Sequence, residues 1–262
     1  MLTREIPRFG SRRSYHIVER NFTVYRSQWL MLVSGFFEPL FYLLSIGIGL
    51  NHLVGNITVG GRIVTYATFV APGMLATSAM NGAMIDSIFN TFFRLKISHA
   101  YEAVLATPLE VTDVALGEVW WALARASIYA ASFITCMVLL GDSPSYWVVL
   151  CWPAAILTSL AFSCVGLAAC TYIRSWQDFD LVALVQLPLF LFSATFFPIS
   201  LYPKWLGVIV SFSPLYQSAT LLRGFSLGQL DWMMILRATY LVAIAGAGLW
   251  LAARRFRSIL LP

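Results

Sequence analysis

Six stretches of this chain, near 30–52, 64–88, 114–140, 146–172, 181–199 and 233–253, stay mainly apolar over the full length of the run. An α-helix needs about 20 such residues to cross the hydrocarbon of a bilayer. Inside lipid every backbone N–H and C=O must find a partner within the protein, so a spanning run of this kind becomes a helix. Composition agrees. Only 11% of the residues are charged, against roughly 25% in a soluble domain, and the mean hydropathy is +0.77. Too few polar side chains exist to cover a water-soluble core. The reading is an all-α integral membrane protein with six transmembrane helices.

The net charge of +5 would suit nucleic acid, but its placement excludes that partner. Arg and Lys sit mainly at the ends of the apolar runs, where they orient a chain in the membrane. With the N-terminus inside, twelve basic residues fall on the cytoplasmic side: Arg4, Arg8, Arg12, Arg13, Arg20, Arg26, Arg94, Lys96, Arg174, Arg254, Arg255 and Arg257. Four fall outside: Arg62, Lys204, Arg223 and Arg237. Both termini are therefore expected in the cytoplasm. The first 29 residues lack the apolar core of a cleavable signal. They mix arginines with Tyr15, Ile17, Val18, Phe22 and Val24, which reads as an amphipathic helix lying on the membrane face; a solvated arm is the alternative. The chain divides into this segment (1–29), a six-span region (30–253) and a short cytoplasmic tail (254–262).

Two connections depart from simple loops. Between the second and third runs, Arg94, Lys96, His99, Tyr101, Glu102 and Leu105 mix charge with apolar residues and end at Thr107-Pro108. That is the pattern of a short amphipathic cytoplasmic helix, suited to a groove on a partner protein. Before the last run, Phe196, Phe197, Pro198, Pro203, Trp205 and Pro214 frame residues 205–212, which are too few to cross a bilayer and too apolar for an aqueous loop. A re-entrant helical pair fits, with the prolines setting its turns; a short surface helix is the plainer reading.

Catalytic signatures are missing. Neither lysine, Lys96 nor Lys204, follows the glycine spacing of a phosphate-binding loop, so ATP hydrolysis would have to come from another polypeptide. His16, His52 and His99 are far apart, and Cys136, Cys151, Cys164 and Cys170 lie in apolar runs without metal-ligand spacing, as small buried hydrophobes do. Four ionisable residues fall within the spans: Glu38, Asp86, Glu118 and Arg125. Charges there are costly and invite a functional reading. Glu118 and Arg125, seven residues apart, share one helix face. Arg125 could pair with Glu38 across helices, and Glu118 could lie at the cytoplasmic interface and meet a partner subunit. Structural pairing that positions the helices is the bland reading.

The order of these elements resembles the type-2 ABC exporter permeases, and several strings are similar to the lipo-oligosaccharide (nodulation-factor) branch. They are Glu38-Pro39-Leu40 with Gly47-Ile48-Gly49-Leu50, Phe69-Val70-Ala71-Pro72-Gly73-Met74, Tyr101-Glu102-Ala103-Val104-Leu105-Ala106-Thr107-Pro108 with Gly117-Glu118, and the later Phe197-Pro198 and Ser213-Pro214-Leu215. The resemblance implies two permease subunits, identical or related, in the plasma (inner) membrane of a bacterium, with two ATP-binding subunits docked below. The chain itself would bind no cofactor, with ATP and Mg held by the ATPase. Arg94–Leu105 would be the coupling helix, the N-terminal helix an interfacial gate, and residues 200–224 the outer re-entrant cap. The cargo would be amphiphilic: a lipo-oligosaccharide, a glycolipid or polysaccharide, or a drug. A membrane-embedded lipid-linked transferase and a membrane scaffold are the competing readings.

Overall fold

A computed structural model describes residues 19, 41–45, 49–59, 61–98 and 111–260. The N-terminal segment, most of the first expected span with Glu38, and His99, Tyr101, Glu102 and Leu105 lie outside the described residues. The first complete feature is a β-hairpin, β1 (Asn56–Val59) and β2 (Arg62–Thr65), paired antiparallel with Asn56 opposite Thr65. It corrects the all-α expectation. The strands are rich in β-branched residues, and Gly61 takes a positive φ of 79° in the turn, a conformation open to glycine without steric cost.

Helix α1 (Tyr66–Met84) starts where Thr65 caps it, its hydroxyl accepting from the Thr68 N–H at 3.3 Å. Every residue from Tyr66 to Thr77 is buried, so protein rather than lipid surrounds this half. That is why α1 tolerates Thr68, Thr77 and an internal Pro72. The helix does not stop at the expected residue 88. It runs on through two π-helical turns, Ile85–Asn90 and Phe93–Ile97, so Arg94 and Lys96 belong to its extension.

Helix α2 (Val111–Leu139) returns antiparallel, and a 3₁₀ turn (Tyr146–Leu150) leads into α3 (Cys151–Cys170). Helix α3 is the hub, packed on α1, α2 and the last helix. Close approach there depends on glycine: a Cβ on Gly248 would stand 2.8 Å from the backbone carbon of Cys164, and one on Gly166 would stand 3.1 Å from Cβ of Ser87. Small residues at helix crossings are how membrane helices gain packing contacts when lipid offers no hydrophobic drive. All four cysteines are buried and free, as expected of small hydrophobes.

Helix α4 (Asp178–Leu191) buries no residue and stops well short of the expected residue 199. Non-helical backbone follows, with Ala194 at a φ of 53°. At 1.5 Å per residue a helix of this length reaches about 21 Å, less than the roughly 30 Å of hydrocarbon. Next come α5 (Lys204–Ser211), which begins after Pro203, and α6 (Pro214–Leu227), capped by Ser213 and closed by Gly228 at a φ of 67°. The two are bent by 83°. Helix α7 (Met233–Leu260) ends the fold, seven residues beyond the expected span. Among the described residues three helices, α2, the 3₁₀ turn with α3, and α7, are long and apolar enough to cross a membrane, or four if the bent pair counts as one span.

Candidate functional site

Three of the four ionisable residues expected within the spans, Asp86, Glu118 and Arg125, come together at the end of the bundle where α1 runs on toward Ile97. The π-helical turn presents Asp86 to α2, where Arg125 Nη1 donates to its Oδ1 at 2.6 Å and Asn90 Nδ2 donates to the same oxygen at 3.2 Å. Arg125 Nη2 donates to the Tyr129 hydroxyl at 3.2 Å, and the guanidinium lies 5.5 Å from the centre of that ring. About two turns along, Arg94 Nη1 donates to Glu118 Oε2. Both carboxylates are buried, at 8% exposure, and both arginines nearly so, at 15–16%.

Eight residues separate Asp86 from Arg94 and seven separate Glu118 from Arg125. On antiparallel helices those spacings bring the two pairs level, acid to base on each rung. The result is a neutral ladder of two charge-assisted bonds, the strong kind. Lys96 is exposed beside it. Arg125 thus pairs with Asp86 and Glu118 with Arg94, while Glu38, the other expected partner of Arg125, lies outside the described residues. Complementary spacing on consecutive helices was the available signal.

An aromatic joint sits beside the ladder. Phe89 and Phe92 on the α1 extension meet Trp176 from the α3–α4 turn and Phe179 at the start of α4, with ring centroids 5.0–5.5 Å apart. Trp176 also stacks on Phe179 at 5.5 Å. Asp178 holds this turn by accepting from the backbone N–H groups of Arg174 at 2.7 Å and Ser175 at 3.0 Å. Those two donors keep its carboxyl below the ordinary aspartate range. On the other side Arg255 of α7 lies 4.2 Å over the Tyr172 ring.

The opposite end is built around Arg223, one of the four basic residues expected on the outer side. It is buried in α6: Nε donates to the Phe69 carbonyl at 3.0 Å, Nη2 reaches the carbonyls of Ala194 at 3.2 Å and Thr195 at 3.4 Å, and the group stacks 3.9 Å from the Phe69 ring. One cation thus ties α6 to α1 and to the non-helical stretch after α4. The hairpin closes over the same end, Arg62 Nη1 donating to the Leu227 carbonyl at 3.1 Å and Gln229 Nε2 to that of Val59 at 3.3 Å. Of the expected outer residues, Phe196 packs edge-on against Phe190 at 5.2 Å, Phe197 and Trp205 are exposed, Pro198 precedes the turn Ile199–Leu201, Pro203 precedes α5 and Pro214 opens α6. No group of three or more potential metal ligands gathers among the described residues.

The model of the family described as "ABC-2 type transporter" matches residues 13–226, which takes in the ladder, the aromatic joint and the bent pair. The chain belongs to the ABC-2 type transporter family. It is also similar to nodulation protein J of Rhizobium leguminosarum bv. trifolii, 33% identical over 221 residues, covering 84% of this chain and 83% of that protein. Nodulation protein J of Rhizobium meliloti (strain 1021) is 32% identical over 213 residues, 80% and 79% of the two chains. That of Azorhizobium caulinodans is 26% identical over 238 residues, 87% and 92%. As an ABC-2 type permease, the chain is a multi-pass membrane subunit of a transporter whose family implies an ATP-binding partner.

Proposed function

We propose that this chain is the permease of an ATP-driven exporter, powered by two copies of a separate ATP-binding subunit and working beside a second permease, identical or related. Six spans would set both termini in the cytoplasm of a bacterium and the ladder near the inner face of the plasma membrane. The observation that carries the reading is the double ion pair between the α1 extension and α2. It clamps the two helices that flank residues 99–110, where Tyr101, Glu102 and Leu105 are the proposed contacts with the ATPase. A push on that connection reaches a rigid pair of helices rather than a loose loop. Through the aromatic joint it also reaches the α3–α4 turn, so one local displacement biases several elements, as switching transitions require.

The cargo class we propose is amphiphilic, in line with the resemblance to lipo-oligosaccharide exporters. The apolar rings of Phe192 and Phe197, exposed beside the bent pair, support it. ATP and Mg would be held by the ATPase alone. The test is co-expression with a co-encoded ATP-binding subunit. Replacing Tyr101 or Glu102 by Ala should leave the complex assembled but weaken the link between hydrolysis and export at least about tenfold, the loss of about 1.4 kcal/mol of coupling. Normal coupled export by both variants would remove the coupling assignment.

A further inference from the structure

Two adjoining cavities at the hairpin end differ sharply in chemistry. The first, of about 310 Å³, lies beneath the hairpin and is lined by Arg223, Arg237, Gln229, Thr220 and Tyr216. The second, of about 610 Å³, is apolar, with walls that include Pro153, Leu157, Leu221, Phe225, Trp232 and Ile235. Asp231 and Met234 line both, so the cavities lie on either side of a shared wall.

Charge decides what the first cavity accepts. Arg223 spends Nε and Nη2 on backbone carbonyls and has no carboxylate partner among the described residues. Arg237, half-buried on the first turns of α7, forms no hydrogen bond or ion pair among them either. Against these two guanidinium groups stands one carboxylate, Asp231, itself exposed. A net positive, partly desolvated cavity favours a planar or tetrahedral oxyanion, which guanidinium groups bind in bidentate fashion. The second cavity decides the rest of the ligand. Trp232 at 68% and Ile235 at 73% exposure stand on the flank of the bundle. With α7 as a span, Ile235 and Ala238 lie inward of its Met233 end, so the apolar cavity runs toward the acyl chains with Trp232 at its outer mouth, and its size lies in the range of ordinary ligand sites.

The geometry points to a binding site for one anionic phospholipid, its phosphate on Arg237 and the edge of Arg223, one acyl chain in the cavity beside Trp232. Helix α7 is here a span whose Met233 end lies at an interface, and the site would hold its lipid whether or not the chain exports a cargo.

The full chain is reconstituted in bilayers of phosphatidylcholine doped with either phosphatidylglycerol or phosphatidylcholine carrying brominated chains, which quench nearby tryptophan. The Trp232 contribution is isolated by difference against Trp232→Phe. Phosphatidylglycerol is expected to occupy the site with a preference of roughly three- to fivefold, the size of one part-exposed ion pair. Arg237→Gln should abolish that preference. Ala238→Phe, which fills the apolar cavity without touching a charge, should weaken quenching by both lipids at Trp232. Millimolar inorganic phosphate should fail to displace the lipid, since it lacks the chain. Equal quenching by the two lipids in the wild type overturns the site. So does a preference that survives Arg237→Gln, quenching untouched by Ala238→Phe, or full displacement by inorganic phosphate.

Discussion

Replacing Arg125 by Met would leave the Asp86 carboxylate buried at 8% exposure without its cation. At an effective dielectric of about 20, unit charges 4 Å apart attract by about 4 kcal/mol. Removing one partner of a buried pair costs about 3–5 kcal/mol, because the stranded charge is desolvated with nothing to offset it. The side chain of Asn90 still donates to Asp86, so the lower half of that range is expected. The structure supplies its own assay. Cys136, Cys151, Cys164 and Cys170 are all buried and free, so a thiol-reactive dye reports unfolding as the detergent-solubilised protein is heated. Arg125→Met should lower the midpoint by on the order of 10 °C. Asp86→Asn in the same chain should restore most of it, since a neutral amide can keep its bond to Asn90 without a buried charge. A double variant as unstable as Arg125→Met alone, or a single variant with no effect, would refute the ion pair as a clamp.

The same dye assay reads two further changes. Gly248→Ala puts a methyl group 2.8 Å from the Cys164 backbone, which the α3–α7 crossing cannot absorb, and should cost about 1–3 kcal/mol; a wild-type midpoint would mean the helices do not touch there. Trp176→Ala removes a ring that meets Phe89, Phe92 and Phe179, each contact worth about 0.5–1.5 kcal/mol, and should lower the midpoint by several degrees. Leu at this position should recover only the part due to apolar burial.

How much could be read beforehand depended on where a residue's partner lies. Helices α2, α3 and α7 were legible because lipid-facing helices must be apolar for their whole length, and their boundaries fall within a few residues of expectation, apart from the longer end of α7. The hairpin leaves a weak trace, Asn56-Ile57-Thr58-Val59 and Arg62-Ile63-Val64-Thr65 on either side of two glycines in the sequence; hydropathy over about 20 residues does not register four-residue strands. Helix α4 ends before the apolar run does, because Phe192, Phe196 and Phe197 continue that run in non-helical backbone. For the charges, the sequence marked Asp86, Glu118 and Arg125 as unusual. Their pairing needed the antiparallel register of two helices, which no single run carries. The burial of Arg223 is hidden for a related reason: its partners are the backbone carbonyls of Phe69, Ala194 and Thr195, which carry no mark in the sequence.

In the proposed function a separate motor drives this permease through the connection between α1 and α2. The most direct measurement follows ATP hydrolysis and the release of a fluorescent amphiphile side by side in proteoliposomes, with the chain alone, with its co-encoded ATP-binding subunit, and with that subunit plus Arg94→Ala in the chain. The chain alone should hydrolyse no ATP, the complex should couple hydrolysis to release, and hydrolysis should continue with diminished release once the rung to Glu118 is cut. Release by the chain alone, or full coupling in the Arg94→Ala complex, would contradict it.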